Sequence, residues 1–209
     1  MKGNLYTLGF AAVLGTVCAL LLTAVASFTA PYKFANAGGE QIRNVLAALG
    51  VPVEADASPG QILEIFERNV REQSYGEVSG YVYSPPQAAG GVQAIALQFS
   101  GAGLWGPIKG FLALEPDMRT IRGITFYQQQ ETPGLGAQID SPEFRSRFTG
   151  KSITDRAGKA GIIIGRLGRT PAQNQVDAIT GATMTCKKLE EMLNAVIKKI
   201  VKEEGKDGQ

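Results

Sequence analysis

A cluster of hydroxyl side chains precedes the last amphipathic segment of the chain. Thr180, Thr183 and Thr185 lie within six residues, Asp177 stands just upstream, and Gly181 follows the first threonine. Gly181 lets the backbone approach a bulky group closely. The start of a helix offers N–H groups without intrahelical partners and the positive end of a dipole, which suits a phosphate. The segment therefore fits a site for a phosphate-bearing cofactor. It equally fits an ordinary helix start in which Thr180 or Thr183 is the N-cap.

A second segment with turn residues lies about 50 residues upstream. Residues 131–136 read E-T-P-G-L-G. Pro133 and Gly134 predict a tight turn, and Gly136 predicts a second one. Such turns expose backbone N–H and C=O groups that can hydrogen-bond the polar edge of a planar heterocycle. A plain turn between two strands is the alternative.

A third segment, residues 103–117, contains Trp105, the only tryptophan of the chain. An amphipathic aromatic side chain of this size can pack beside a bound ring. It is also common in protein cores. Both interpretations of Trp105 stay open on the sequence alone.

The first two segments resemble motifs of the FMN-binding domain family and occur in the same order. Residues 180–185, T-G-A-T-M-T, are similar to the family motif [S/T]-G-A-T-x-[S/T], and residues 131–136 are similar to its E-T-P-G-L-G loop. The resemblance implies FMN esterified through its phosphate to Thr185, with the flavin ring against the loop. The cofactor-binding residues that it implies are Thr185, Thr183, Ala182, Gly181, Thr180, Asp177, Glu131, Thr132, Gly134, Leu135, Gly136 and Trp105.

The third segment is similar, within that family, to the C subunits of Na⁺-translocating NADH:quinone reductases. Residues 106–108, G-P-I, are instead similar to the G subunits of Rnf electron-transport complexes. The first resemblance implies an electron-transfer subunit without independent turnover, whose partners are the other subunits of a membrane redox complex and, during maturation, a flavin transferase. The second implies the same flavin between ferredoxin and NAD. An anchored assembly or sensor protein with loosely bound or no flavin is a third possibility.

The composition agrees with a role for an organic cofactor. The 209 residues include no histidine and two cysteines, and the net charge is +2. Histidine is the commonest metal ligand and the commonest acid or base near neutral pH, so we expect neither a metal site nor catalytic side chains. The low net charge gives no indication of nucleic-acid binding. Cys18 and Cys186 are expected to remain unpaired.

The N-terminal part predicts a membrane anchor. No charged residue occurs between Lys2 and Lys33, and residues 5–30 are long enough to cross a bilayer as one helix that ends at Pro31. A signal peptide cleaved after residues 24–26, A-V-A, is the alternative.

This anchor divides the chain into an N-terminal end (residues 1–4), a transmembrane helix (5–30) and an FMN-binding domain (31–209). We expect a single-pass protein of the bacterial inner membrane, in contact with lipid. The charges flanking the anchor do not decide its orientation. The family resemblance implies that the domain lies on the periplasmic side.

The remaining patterns predict an α+β fold, an antiparallel sheet with packed helices. Helices are expected over residues 40–49, from Ser58 with a capping box, from Ser141, and over the amphipathic stretch that includes Leu189–Val201. Strands are expected over residues 78–83, 92–99, 108–114, 121–127 and 161–164.

Overall fold

The chain forms helices at both ends and a sheet between them. The computed structural model describes residues 2–54, 56–85 and 91–207, with side chains over 7–29, 38–54, 56–85 and 91–203. The elements, in order, are α1 (Lys2–Ala48), α2 (Pro59–Asn69), β1 (Val70–Tyr75), β2 (Val78–Tyr83), β3 (Ala94–Ala102), β4 (Pro107–Leu114), β5 (Ile121–Gln128), a 3-10 helix (Gly136–Asp140), α3 (Pro142–Ser146), β6 (Ile163–Ile164), β7 (Gln175–Val176) and α4 (Thr183–Asp207).

Helix α1 contains the predicted apolar span. Thr7–Thr29 has a mean hydropathy of 2.3 and is long and apolar enough to cross a membrane, a property it shares with signal sequences. The predicted helix end at Pro31 is wrong, because α1 runs on to Ala48. A proline inside a helix removes one backbone hydrogen bond, and this need not end the helix. The chain divides into two compact units between Glu40 and Gln41.

The second unit is built on a five-stranded antiparallel sheet in the order β1-β2-β3-β4-β5. Four of these strands lie where the sequence predicts them. Strand β1 was not predicted, because four of its six side chains are exposed and polar and its only buried residue is Val70. Such a pattern is typical of an edge strand, whose solvent side carries charge.

Both faces of the central strands are buried. Along β3, Ile95, Leu97 and Phe99 belong to a core that also contains side chains of α4. The alternate residues Ala94 and Ala96 pack on the other face with the end of α1 and with α2. A strand covered on both sides shows a nearly continuous apolar run, which explains why the sequence of β3 alternates only partly.

Two predicted helix starts are confirmed, whereas the helix expected over residues 40–49 is the end of α1 and does not start there. Ser58 caps α2 in a capping box with Gln61, and Ser141 accepts a hydrogen bond from the backbone N–H of Phe144 at the start of α3. The two cysteines are unpaired, as expected. An antiparallel sheet with packed helices, preceded by an apolar helix, confirms the predicted α+β fold.

Candidate functional site

The connection between β3 and β4 brings one part of the site to the end of the sheet. This tight loop, residues 103–106, is closed by a hydrogen bond from the N–H of Gly103 to the carbonyl of Gly106 at 2.8 Å. A Cβ at Gly103 would collide with the Glu131 carboxylate and with that carbonyl. Glycine at position 103 therefore lets the loop backbone lie directly against Glu131.

The loop that follows β5 brings the second part. The carbonyl of Thr132 accepts hydrogen bonds from the N–H groups of Leu135 and Ala137, both at 3.1 Å. Gly134 has a φ of 76°, the left-handed conformation expected of a glycine in this turn. A Cβ at Gly136 would lie 2.5 Å from the Thr185 hydroxyl oxygen. The turn and the close approach at Gly136 hold this loop on the start of α4.

The start of α4 brings the third part. The N–H of Cys186 donates to the carbonyl of Ala182 at 3.0 Å, which places Ala182 at the N-cap position. The alternative in which Thr180 or Thr183 caps the helix is therefore wrong. Alanine has no side-chain acceptor, so the N–H groups of the first turn have no capping oxygen from this position. That arrangement suits an anion.

The three parts meet at Glu131 and Thr185. Glu131 is 5% exposed, and it is the only buried charged residue in the part of the chain that the structure describes. Its Oε1 accepts hydrogen bonds from the backbone N–H groups of Leu104 at 2.8 Å and Trp105 at 3.2 Å. Its Oε2 accepts one from the hydroxyl of Thr185 at 2.7 Å, and Thr185 is 2% exposed. One carboxylate thus links all three segments that the sequence analysis singled out.

A cavity of about 210 Å³ lies at this junction. It is lined by eight of the predicted cofactor-binding residues and by two neighbours from the same segments: Glu131, Thr132, Leu135, Gly136, Gly181, Ala182, Thr183 and Thr185, with Leu104 and Met184. Sites for whole small-molecule ligands usually measure ~300–1,000 Å³. The cavity is therefore of a size for part of a cofactor, such as a phosphate and its adjoining chain.

An apolar surface lies beside this cavity. Trp105 is 70% exposed, and Leu104, Leu135 and Met184 are also exposed. The interpretation of Trp105 as a core aromatic is therefore wrong. Neighbouring apolar side chains that face solvent can cover a planar aromatic ring, so the residues present fit a flavin whose phosphate end enters the cavity.

Two predicted residues lie elsewhere. Asp177 and Thr180 line a second cavity of about 550 Å³, which shares Gly181 and Thr183 with the first. Gly134 and Trp105 are not among the residues that line these two cavities. The predicted set is thus one neighbourhood, but it is not one pocket.

Arg147 is a site residue that the sequence analysis missed. Its Nη1 donates to the backbone carbonyls of Asp177 and Ala178, each at 3.2 Å, and lies 3.9 Å from an Asp177 carboxylate oxygen. Its other terminal nitrogen pairs with Glu143 at 2.5 Å. Arg147 therefore fixes the segment that leads into α4. No local pattern points to it, because its partners lie about 30 residues away in sequence.

The thiol next to Thr185 belongs to the protein core. Burial raises the pKa of Cys186, and the N–H of Ile179, which donates to its sulfur at 3.4 Å, only partly opposes that shift. A thiol with a raised pKa is a weak nucleophile at neutral pH. Of the two adjacent side chains, the hydroxyl of Thr185 is the one that contacts a carboxylate.

Comparison with known proteins shows which family the residues around this site resemble. Residues 103–198 match the FMN-binding domain family. These 96 residues make up slightly less than half of the chain. The match contains all of the cofactor-binding residues that the sequence analysis predicted, from Trp105 to Thr185.

Curated relatives show which proteins of known name this chain resembles. The chain is 39% identical over 104 residues to the C subunit of the Na⁺-translocating NADH-quinone reductase of Pasteurella multocida, and 41% identical over 106 residues to that of Neisseria meningitidis. These segments cover 50% and 51% of this chain but only 40% and 41% of those proteins. The chain thus matches less than half the length of these curated relatives. The predicted resemblance to the family and to these C subunits is confirmed.

Solved structures agree with the fold. The structure of the reductase's C subunit from Parabacteroides distasonis superposes with a TM-score of 0.68 at 26% identity, covering 82% of this chain and 94% of that one. The corresponding protein of Shewanella oneidensis gives 0.63 at 24% identity, covering 74% and 89%. The likeness extends well beyond residues 103–198, so the fold is shared over most of the second compact unit.

Proposed function

We propose that this chain is a membrane-anchored electron-transfer subunit that carries FMN esterified to Thr185. The observation that carries the proposal is the convergence of three loop segments on the Thr185 hydroxyl, at an uncapped helix start beside a small cavity and an exposed apolar surface. FMN supplies a reversible electron acceptor when bound, and this explains how a chain without histidine can take part in redox chemistry.

The residues present divide the work of holding FMN. The backbone N–H groups at the start of α4 hold the phosphate, assisted by the positive end of the helix dipole. The cavity holds the adjoining chain of the cofactor. The exposed side chains of Leu104, Trp105, Leu135 and Met184 shield the ring from water.

The redox partners are those of a Na⁺-translocating NADH:quinone reductase. The resemblance to its C subunits supports this assignment over the Rnf alternative, for which residues 106–108 are the supporting feature. FMN held at this site would carry electrons that other subunits take from NADH toward quinone. The sodium path lies in other subunits, because Thr7–Thr29 contains no charged residue.

The proposed location of the FMN-binding domain is the periplasmic side of a bacterial inner membrane, which is what the family resemblance implies. Thr7–Thr29 crosses the bilayer once. A flavin transferase on that side completes the protein. A covalent bond then suits a domain in a compartment poor in free flavin, because the cofactor cannot be lost by dissociation.

Replacing Thr185 tests the attachment point. The full chain, expressed with a flavin transferase, should give a fluorescent band after denaturing electrophoresis. Thr185→Val should give a folded protein without fluorescence, whereas Thr185→Ser keeps a hydroxyl and should be flavinylated.

The matched control is Thr183→Val, since Thr183 lines the same cavity and is exposed. That variant should remain fluorescent. Fluorescence in Thr185→Val together with its loss in Thr183→Val would assign the ester to Thr183 and contradict our proposal. Circular dichroism establishes that each variant is folded.

A further inference from the structure

Glu131 is placed as a base would be placed for the Thr185 hydroxyl. A general base must lie ~2.6–3.2 Å from the oxygen whose proton it takes. The distance from Thr185 Oγ1 to Glu131 Oε2 is 2.7 Å, and the hydroxyl is the donor. A threonine hydroxyl is a weak nucleophile unless such a base activates it.

The other side of the carboxylate is held in place. Two backbone N–H groups, of Leu104 and Trp105, bind Oε1 and leave Oε2 directed at Thr185. Both carboxylate oxygens therefore take part in hydrogen bonds. A buried charge is costly and is often found where a protein does chemistry. Glu131 thus has a fixed orientation and a hydroxyl within reach.

The other titratable groups near the cavity contact partners other than the Thr185 hydroxyl. Asp177 lines the second cavity, pairs with Arg147 and accepts the N–H of Leu167 at 3.3 Å. The sulfur of Cys186 accepts the N–H of Ile179. The chain contains no histidine. Within the described part of the site, Glu131 is the carboxylate that contacts Thr185.

We infer that Glu131 is the proton acceptor that activates Thr185 for its own flavinylation, an inference that rests on the proposed attachment of FMN. The donor is a flavin whose phosphate belongs to a pyrophosphate, since a free phosphate monoester is not activated. Thr185 Oγ1 attacks the flavin-side phosphorus and forms the new O–P bond. The pyrophosphate P–O bond breaks, and the leaving nucleotide monophosphate keeps its electron pair. The proton of Thr185 passes to Glu131 Oε2, and nothing is oxidised or reduced.

The proton that Glu131 accepts also removes a charge repulsion in the flavinylated product. The ester oxygen of Thr185 no longer has a hydrogen to donate, and a charged phosphodiester stands close to Glu131. An ionised carboxylate at this distance would repel it. A carboxyl group that has kept the proton is neutral and can donate a hydrogen bond to a phosphodiester oxygen instead.

The test compares three variants of the full chain with purified flavin transferase and a flavin dinucleotide donor. Glu131→Gln keeps the shape and an oxygen for the Leu104 and Trp105 N–H groups, but its amide cannot accept a proton. We expect its rate of covalent flavin incorporation to fall by about 10²–10⁴-fold, the usual contribution of a general base. The rate should recover as the pH is raised, because hydroxide replaces the base. Glu131→Asp keeps a carboxylate and should retain more activity than Glu131→Gln.

The matched control is Glu190→Gln on the same helix as Thr185. The Glu190 carboxylate accepts the backbone N–H of Ile164 at 2.6 Å and lies outside the cavity, so this variant should incorporate flavin at the wild-type rate. Wild-type incorporation by Glu131→Gln would overturn the inference while leaving Thr185 as the attachment point. Equal losses in Glu131→Gln and Glu131→Asp, with no recovery at high pH, would also overturn it. Absence of covalent flavin from the wild-type chain would instead refute the proposed function.

Discussion

Gly136 is the position at which the packing of the site can be tested most sharply. Replacing it by alanine adds a single methyl group. That Cβ would lie 2.5 Å from the Thr185 hydroxyl oxygen and 2.9 Å from both Cβ and Oε2 of Glu131. Gly136, Glu131 and Thr185 are all buried, so the methyl group is accommodated only if the Glu131 or Thr185 side chain shifts. We expect Gly136→Ala to force apart the pair formed by Glu131 and Thr185.

The size of the effect follows from the cost of overpacking a buried site, ~1–3 kcal/mol. For a chain of this length, each kcal/mol lowers the melting temperature by ~2–4 °C. We therefore expect Gly136→Ala to melt roughly 2–12 °C below the wild type when both are made without flavin transferase. With the transferase present, covalent flavin should fall well below the wild-type amount, because the hydroxyl is displaced from its base.

Two other glycines provide the controls. A Cβ at Gly101 would lie 2.5 Å from Cγ of Met192, so Gly101→Ala strains the core away from the cavity and should be destabilised but flavinylated. A Cβ at Gly60 meets nothing within 4 Å inside α2, so Gly60→Ala should be slightly more stable than the wild type. Thermal melting by circular dichroism and in-gel fluorescence give the two readouts. A Gly136→Ala protein with an unchanged melting temperature and full flavin would refute the packing argument.

Three further outcomes are expected. Gly134→Val puts a β-branched residue at a φ of 76° and should deform the loop, so the protein should keep its covalent flavin but show an altered visible spectrum and reduction potential; an unchanged spectrum and potential would mean that the loop is only a turn. Although burial opposes it, the hydrogen bonds from Thr120 and from the N–H of Arg119 lower the pKa of Asp117. The stabilisation that the Asp117 carboxylate contributes is therefore fully present above its ordinary pKa of 3.8, and it is lost as the pH falls through the lowered pKa of the folded state. Asp117→Asn should therefore be less stable than the wild type at pH 7 and equally stable in strong acid. A reporter that works only outside the cytoplasm should be active when fused after Gln209, and activity of a cytoplasm-only reporter there would reverse the proposed orientation.

The sequence predicts the central strands well because their signals are local. Strands β2 to β5 are apolar runs bounded by turn residues, and the helix starts at Ser58 and Ser141 carry their own capping side chains. Strand β1 lacks such a signal, since its pairing with β2 is provided by the sheet and not by its own side chains. At Pro31 the local signal predicts a helix end, but the helix continues to Ala48.

The site follows the same division. The motifs identify nearly all of the residues that line the cavity, but not the contacts between them. The hydrogen bond from Thr185 to Glu131 joins residues 54 positions apart, and the loop at Leu104 reaches the same carboxylate from 27 positions away. The support of Asp177 by Arg147 likewise depends on the folded arrangement. Residue types and spacing predict a flavin site, whereas the contact between Glu131 and Thr185 is visible only in three dimensions.

Peptide mass spectrometry of the mature protein, purified under denaturing conditions, tests the central claim most directly. We predict that the peptide containing Thr185 carries the mass of one FMN less one water, and that phosphodiester cleavage removes it. Fragmentation should assign the added mass to Thr185 and leave Thr180 and Thr183 unmodified. A purified yellow protein whose Thr185 peptide has its unmodified mass, with all flavin released on denaturation, would contradict covalent attachment at Thr185.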